Sequence, residues 1–187
     1  MVAELANLLN GGVEPQRYTS HWLSGRIDWT PFCEAVSGAQ PLRVAMWSPV
    51  NQGEITALVA NRSDGLAHTL SVYARTYPRT IFRASIRDSK ADPYPGCAFA
   101  YYAEMGGARR EVAAVAEPDG WKFVQTGQPQ SFEELDRYKQ PRIRDRVTRE
   151  LVTSYLAKLG LNVAEDQFWQ ASDEYARIEQ VESRRAR

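Results

Sequence analysis

The stretch from Arg79 to Gln125 constrains this chain more than any other. "RTIFRASIRD" alternates strictly: Thr80, Phe82, Ala84 and Ile86 face one way, and Ile81, Arg83, Ser85 and Arg87 the other. Period two with arginines on one face is the pattern of a half-buried antiparallel strand. The loop "SKADPYPG" separates it from "CAFAYYAE". Met105-Gly106-Gly107 then turns the chain into "ARREVAAVAE", and Pro118-Asp119-Gly120 turns it again into "WKFVQ". Pro presets φ, Asp bonds its own backbone and Gly accepts positive φ, so such clusters are turns. Successive strands joined by short connections pair antiparallel, and a meander of at least four strands follows. Upstream, "PLRVAMW" and "LAHTLSVYAR" also read as strands, "GEITALVAN" is ambiguous between strand and helix, and Asn61 to Gly65 is a turn.

The period changes on both flanks. Val2 to Asn10 sets Leu5, Leu8 and Leu9 on one side of a short amphipathic helix, which Gly11-Gly12 stops. Thr30-Pro31 pairs an N-cap with an N1 proline and starts a second short helix through Val36. Past Gly127, Ser131 and Glu134 have capping-box spacing. Pro141 then opens a longer helix, with Ile143, Val147, Leu151, Tyr155 and Leu159 as its stripe and Gly160 as its stop. "SDEYARIEQVESRRAR" reads as a last helix. The expected fold is α+β: a central antiparallel meander sheet of four to six strands, with N-terminal short helices and C-terminal helices packed on one face. A chain of 187 residues suffices for one domain, divided into a helical lead (1–40), the sheet (41–126) and the C-terminal helices (131–185).

Charge argues against one class of partner. Basic and acidic side chains number 23 each, for a formal net charge of zero, whereas a chain that works by neutralising phosphates carries a basic excess. Nucleic acid is therefore not the expected partner. No run of about 18 apolar residues occurs, and the first residues lack the basic start of a secretory signal, so no membrane contact and a cytoplasmic location are expected. Cys33 and Cys97 are too few and too far apart for a disulfide scaffold and read as free thiols in a reducing compartment.

Motifs that carry chemistry are sparse. His21 and His68 belong to no HxH or HExxH spacing and there is no CxxC, so no metal site or other cofactor is expected. The chain has no GxSxG elbow and no phosphate-cradling GxxxxGK[ST] or GxGxxG loop, and no catalytic residue is assigned. Polar groups gather instead where the sheet hands over to the helix. Glu133 stands four residues before Arg137, a pairing that stabilises a helix surface. Tyr138 follows, and Arg142, Arg146 and Arg149 share a face if their segment is helical. Basic groups in a first helical turn oppose the macrodipole, so Glu133 and Glu134 are expected to offset them. Arg79, Arg83 and Arg87 form a second basic stripe on one strand face. Candidate binding residues are thus Arg83, Arg87, Glu133, Tyr138, Arg142 and Arg146.

The segment "GWKFVQTGQPQSFEELDRYKQPRIRDRVTRELVTSYLAKLG" combines several marks: a Trp-x-Phe strand (Trp121, Phe123), a Gly-x-Pro-x-x-Phe-Glu turn (Gly127 to Glu133), Tyr138, an Arg-Ile-x-x-Arg start (Arg142 to Arg146) and a Tyr-Leu-x-x-Leu-Gly ending (Tyr155 to Gly160). In this it resembles a bacterial family similar to the immunity proteins of polymorphic toxin systems, over about Tyr94 to Trp169. The resemblance implies a protein that binds and blocks a toxin. It brings no catalytic residue with it. Two rivals stand beside it. One is an enzyme acting on a small molecule or nucleic acid, with a cleft between the sheet and the helix from Pro141 to Gly160 and with Glu133, Tyr138, Arg142 and Arg146 as its polar groups. The other is a structural or regulatory subunit of an oligomer, with Phe168, Trp169 and Tyr175 as contacts. The partner's identity and the oligomeric state stay open at this level.

Overall fold

A computed structural model describes residues 1–11, 18–32, 41–50, 52, 54–62, 64–87 and 92–180. The chain is α+β, with antiparallel pairing throughout. It gathers into two compact units, one from Met1 to Thr69 together with the residues from Glu165 onward, the other from Leu70 to Ala164.

The second unit holds the expected meander. Strands β4 (Ile81–Arg87), β5 (Gly96–Tyr102), β6 (Arg109–Glu117) and β7 (Gly120–Thr126) pair in that order. Their register puts Phe82, Tyr101 and Arg110 in one row and Ala84, Phe99 and Val112 in the next. Rows of this parity face a core completed by Tyr138, Val147, Leu151, Val152, Tyr155 and Leu156. Phe99 is buried between Phe132 and Tyr155, edge-on to both rings. Each such fully buried large side chain contributes roughly 2–3 kcal/mol of transfer free energy.

The long helix begins later than Pro141 suggests. Helix α3 spans Arg149–Lys158, and its N-cap is Thr148, whose hydroxyl accepts the Leu151 N–H at 3.3 Å. Before it come a 3-10 turn at Leu135–Lys139 and a shorter one at Ile143–Asp145. The Ser131 capping box does not form: the backbone from Gln130 to Glu134 is a turn, and Glu134 spends its carboxylate on Lys158. The apolar stripe still faces the core, because 3-10 turns and helix present successive turns to the same sheet. Gly160, at φ +80°, ends the helix as expected.

The first unit contains the larger corrections. Its sheet has the order β1-β8-β2-β3, where β1 is Tyr18–Ser24, β2 Arg43–Pro49, β3 Ala57–Ala60 and β8 Ala171–Gln180. The helical lead thus contains a strand, and the expected last helix is a strand as far as Gln180; residues 181–187 lie outside the described ones. Tertiary pairing overrides local pattern here: β8 is an inner strand, held by β1 on one side and β2 on the other over nearly its whole length. Ala45, Trp47, Ala57 and Tyr175 line one face with Ile27, Trp29, Phe32 and Phe168. Trp47 donates its indole N–H to the Phe168 carbonyl at 2.7 Å. Helix α1 (Val2–Asn10) forms as expected and ends in left-handed Gly11. The second short helix is a 3-10 turn at Thr30–Phe32, and Cys33 to Val36 fall outside the described residues.

"LAHTLSVYAR" is not a strand. Asp64 accepts the Leu66 N–H at 3.1 Å, Gly65 and Leu66 are both left-handed, and helix α2 (Ala67–Thr76) follows. The Tyr73 and Tyr77 rings meet at 4.7 Å between centroids, tilted by 36°, and Ala74 packs against Ile81, Ala100 and Tyr102. The residues that the helix buries, Tyr73 and Ala74, are adjacent and not alternate, which is helical and not strand burial.

Candidate functional site

Strand parity turns Arg110 inward with Val112 and Ala114. Its guanidinium does not reach solvent. Nε donates to both carboxylate oxygens of Glu133 at 3.0 and 3.1 Å, and Nη2 donates to Glu133 Oε2 at 2.7 Å and to Gln125 Oε1 at 3.4 Å. Nη1 donates to the carbonyls of Thr126 and Gly127 at 3.2 and 3.1 Å. All guanidinium N–H groups are therefore used. Glu133 also accepts the Gln130 N–H at 2.7 Å and the Tyr138 hydroxyl at 2.8 Å. The side chains of Arg110 and Glu133 are 2% and 0% exposed. Removing two charges from water is costly, and a bidentate geometry with every remaining site bonded is what offsets it.

A directed chain of hydroxyls leads out of this pair. Tyr138 donates to Glu133, so at the 3.1 Å contact between the two phenols Tyr155 is the donor and Tyr138 the acceptor. The Tyr155 oxygen in turn accepts the Glu134 N–H at 2.8 Å. Each bond polarises the next toward the carboxylate. Burial, the Tyr155 bond and the Glu133 charge together hold the Tyr138 phenol far above its ordinary range, so it stays neutral. Burial works against the Arg110 charge, but the bonds to Glu133 and that residue's charge outweigh it and raise the guanidinium further. The constellation is saturated: it fixes the turn from Gln125 to Tyr138 onto the sheet and leaves no donor or acceptor aimed at a substrate.

Glu133 and Tyr138 are thus brought together, but with Arg110 and not with Arg137 as the helical spacing predicts. Glu133 lies in a turn, where four-residue spacing no longer places side chains on one face. The other candidates lie apart. Arg146 donates from Nε to the Gln140 carbonyl at 2.8 Å and stands over the Phe123 ring at 5.2 Å. Arg142 precedes the second 3-10 turn, exposed. The expected offset of these arginines by Glu133 and Glu134 is not made, since those carboxylates serve Arg110 and Lys158. Arg83 and Arg87 are on the opposite face of the meander. Arg83 reaches across Ala100 to Glu111 at 3.2 Å, which also holds Arg109, and Arg87 lies 3.8 Å from Asp92. Arg79 precedes β4 and is not part of that stripe.

Comparison adds no relative. No protein-family model, curated protein or solved structure matches the chain.

Cys97 is a free, buried thiol in the meander core, and burial pushes its pKa up, against nucleophile chemistry. Among the described residues no group of three or more His, Cys, Asp or Glu could hold a metal, and no helix is long and apolar enough to cross a membrane. The residues that sequence reasoning missed are Arg110 and Tyr155 as polar partners. One signal marks Arg110: within "RREVAAVAE" it shares parity with Val112 and Ala114, the apolar side of the strand.

Proposed function

We propose that this chain acts by binding another protein, in the manner of a cytoplasmic immunity protein that occupies and neutralises a toxin. The observation that carries this reading is the saturation of the Arg110, Glu133, Tyr138 and Tyr155 network. The enzyme reading needs Glu133 and Tyr138 free in a cleft, and both are consumed in fixing a turn. A binding protein needs the reverse: a rigid scaffold whose outward groups are set for a partner. Arg142 and Arg144 are exposed just past the turn that the network fixes, which supports a docking role for that stretch. The free Cys97 thiol suits a reducing compartment. The subunit reading loses two of its three contacts: Tyr175 is core, and Phe168 packs on Trp47.

The test is pull-down from the native host, then co-expression with the product of the adjacent gene. The expected result is a toxic neighbour whose growth defect the chain relieves and that co-purifies with it. A harmless neighbour, or toxicity that persists with the chain present, overturns the reading.

A further inference from the structure

Strand β1 is an edge of the first unit's sheet as described, and helix α1 packs beside it; among the described residues its edge carries neither a charge nor a proline, and only Tyr18 is closed, by Asn10. Natural edges carry charged residues or prolines, are short, or are covered. β3 at the other edge has four residues, while β4 and β7, the edges of the meander, carry Arg83 with Arg87 and Lys122 respectively. β1 is seven residues long, "YTSHWLS", with no charge and no proline. Trp22 at its middle is 61% exposed.

The backbone shows which groups are open. The Asn10 side-chain amide takes both the N–H and the C=O of Tyr18, at 2.9 and 3.1 Å, as a neighbouring strand would. Both groups of Tyr18 therefore point away from β8. Strand period two turns Ser20, Trp22 and Ser24 the same way. Among the described residues none of these three has a backbone partner on that side, and all three side chains are exposed.

We infer that β1 pairs with β1 of a second copy of this chain, antiparallel about a two-fold axis at Trp22, joining two four-stranded sheets into one. The open set is symmetric about Trp22. In that register Ser20 faces Ser24 of the other copy and Trp22 faces Trp22, each pair exchanging both backbone bonds. Tyr18, already closed by Asn10, falls outside it. No like charges meet, since β1 has none. The two indoles become cross-strand neighbours on one face, a pairing that adds to the backbone bonds. This inference concerns the isolated chain and does not depend on any toxin partner.

Light scattering after size exclusion, over roughly a hundredfold range of concentration, tests it. Wild type is expected at twice the chain mass. Ser20→Pro removes an outward N–H and leaves the pairing with β8 intact, as prolines on sheet edges do. It is expected at the chain mass with an unchanged far-UV spectrum. Trp22→Lys, which sets two ammonium groups opposite each other, is expected to behave alike. Should either variant lose its fold, Trp22→Cys in a background without Cys33 and Cys97 decides: oxidation yields a covalent dimer if the register is right. A monomeric wild type, even one that binds an extended segment of another protein, overturns the inference. So does a dimer that persists in folded Ser20→Pro and Trp22→Lys, or a Trp22→Cys that does not cross-link.

Discussion

Arg110 and Glu133 stand 23 positions apart and close a bidentate ion pair at 2.7 Å with both side chains out of water. Breaking such a pair leaves the surviving charge buried, which costs more than the pair itself contributes. Glu133→Gln is expected to lower unfolding free energy by about 3–5 kcal/mol, read from urea midpoints. The double variant Arg110→Met with Glu133→Leu removes both buried charges but orphans the Thr126 and Gly127 carbonyls, the Gln130 N–H and the Tyr138 hydroxyl, so it is expected to recover only part of that loss. A double variant less stable than Glu133→Gln would show that these orphaned groups outweigh the two desolvation costs.

Tyr138 makes stability fall at high pH. Its folded pKa is raised, chiefly by burial and then by Tyr155 and Glu133, so the folded state keeps a proton that the unfolded state releases above about pH 10. The sign follows: stability is fully present below that pH and declines above it, by no more than about 1.4 kcal/mol per pH unit for this one group. Tyr138→Phe is expected to flatten the alkaline limb of a urea-midpoint profile relative to wild type. An unchanged slope between about pH 10 and 11.5 contradicts the assignment.

What the sequence shows plainly is what short-range period decides. Strands β4 to β7 alternate, their turns hold Gly, Pro and Asp, and the meander follows; the stripe from Ile143 to Leu159 faces the core although its helix is shorter than Pro141 suggests. β8 is opaque for the opposite reason. "ASDEYARIEQ" has good helix formers, and it becomes a strand only by pairing with β1, as far as 162 positions away at Tyr18 and Gln180, and with β2. The site divides the same way. Glu133 and Tyr138 are conspicuous in the sequence, while Arg110 belongs with them only because β6 and the turn after β7 meet in space.

Tyr155 serves two layers at once. Its ring packs on Phe99 and Phe132, and its oxygen accepts the Glu134 N–H at 2.8 Å. Tyr155→Phe keeps the packing and orphans that N–H together with one lone pair of Tyr138. The expected loss is about 1–3 kcal/mol, and Glu134 amide exchange is expected to quicken more than that of Val152 in α3. Equal acceleration at both positions would mean that the ring, not the hydroxyl, carries the effect.

Gly127 is where the turn touches the strand. It is left-handed at φ +74°, and a Cβ there would collide with the carbonyl of Arg109, a backbone atom with little room to yield. Its own carbonyl accepts from Arg110 Nη1 at 3.1 Å, so any displacement also opens the buried network. Gly120 has positive φ as well, but a Cβ there meets nothing within 4 Å. Gly120→Ala carries backbone strain alone, on the order of 1 kcal/mol. Gly127→Ala adds the collision and a disturbed ion pair, and is expected to cost on the order of 3 kcal/mol or more. Thermal unfolding of the two variants side by side checks the ordering. Equal losses would mean that backbone strain alone governs both sites and that the turn can shift without disturbing Arg110.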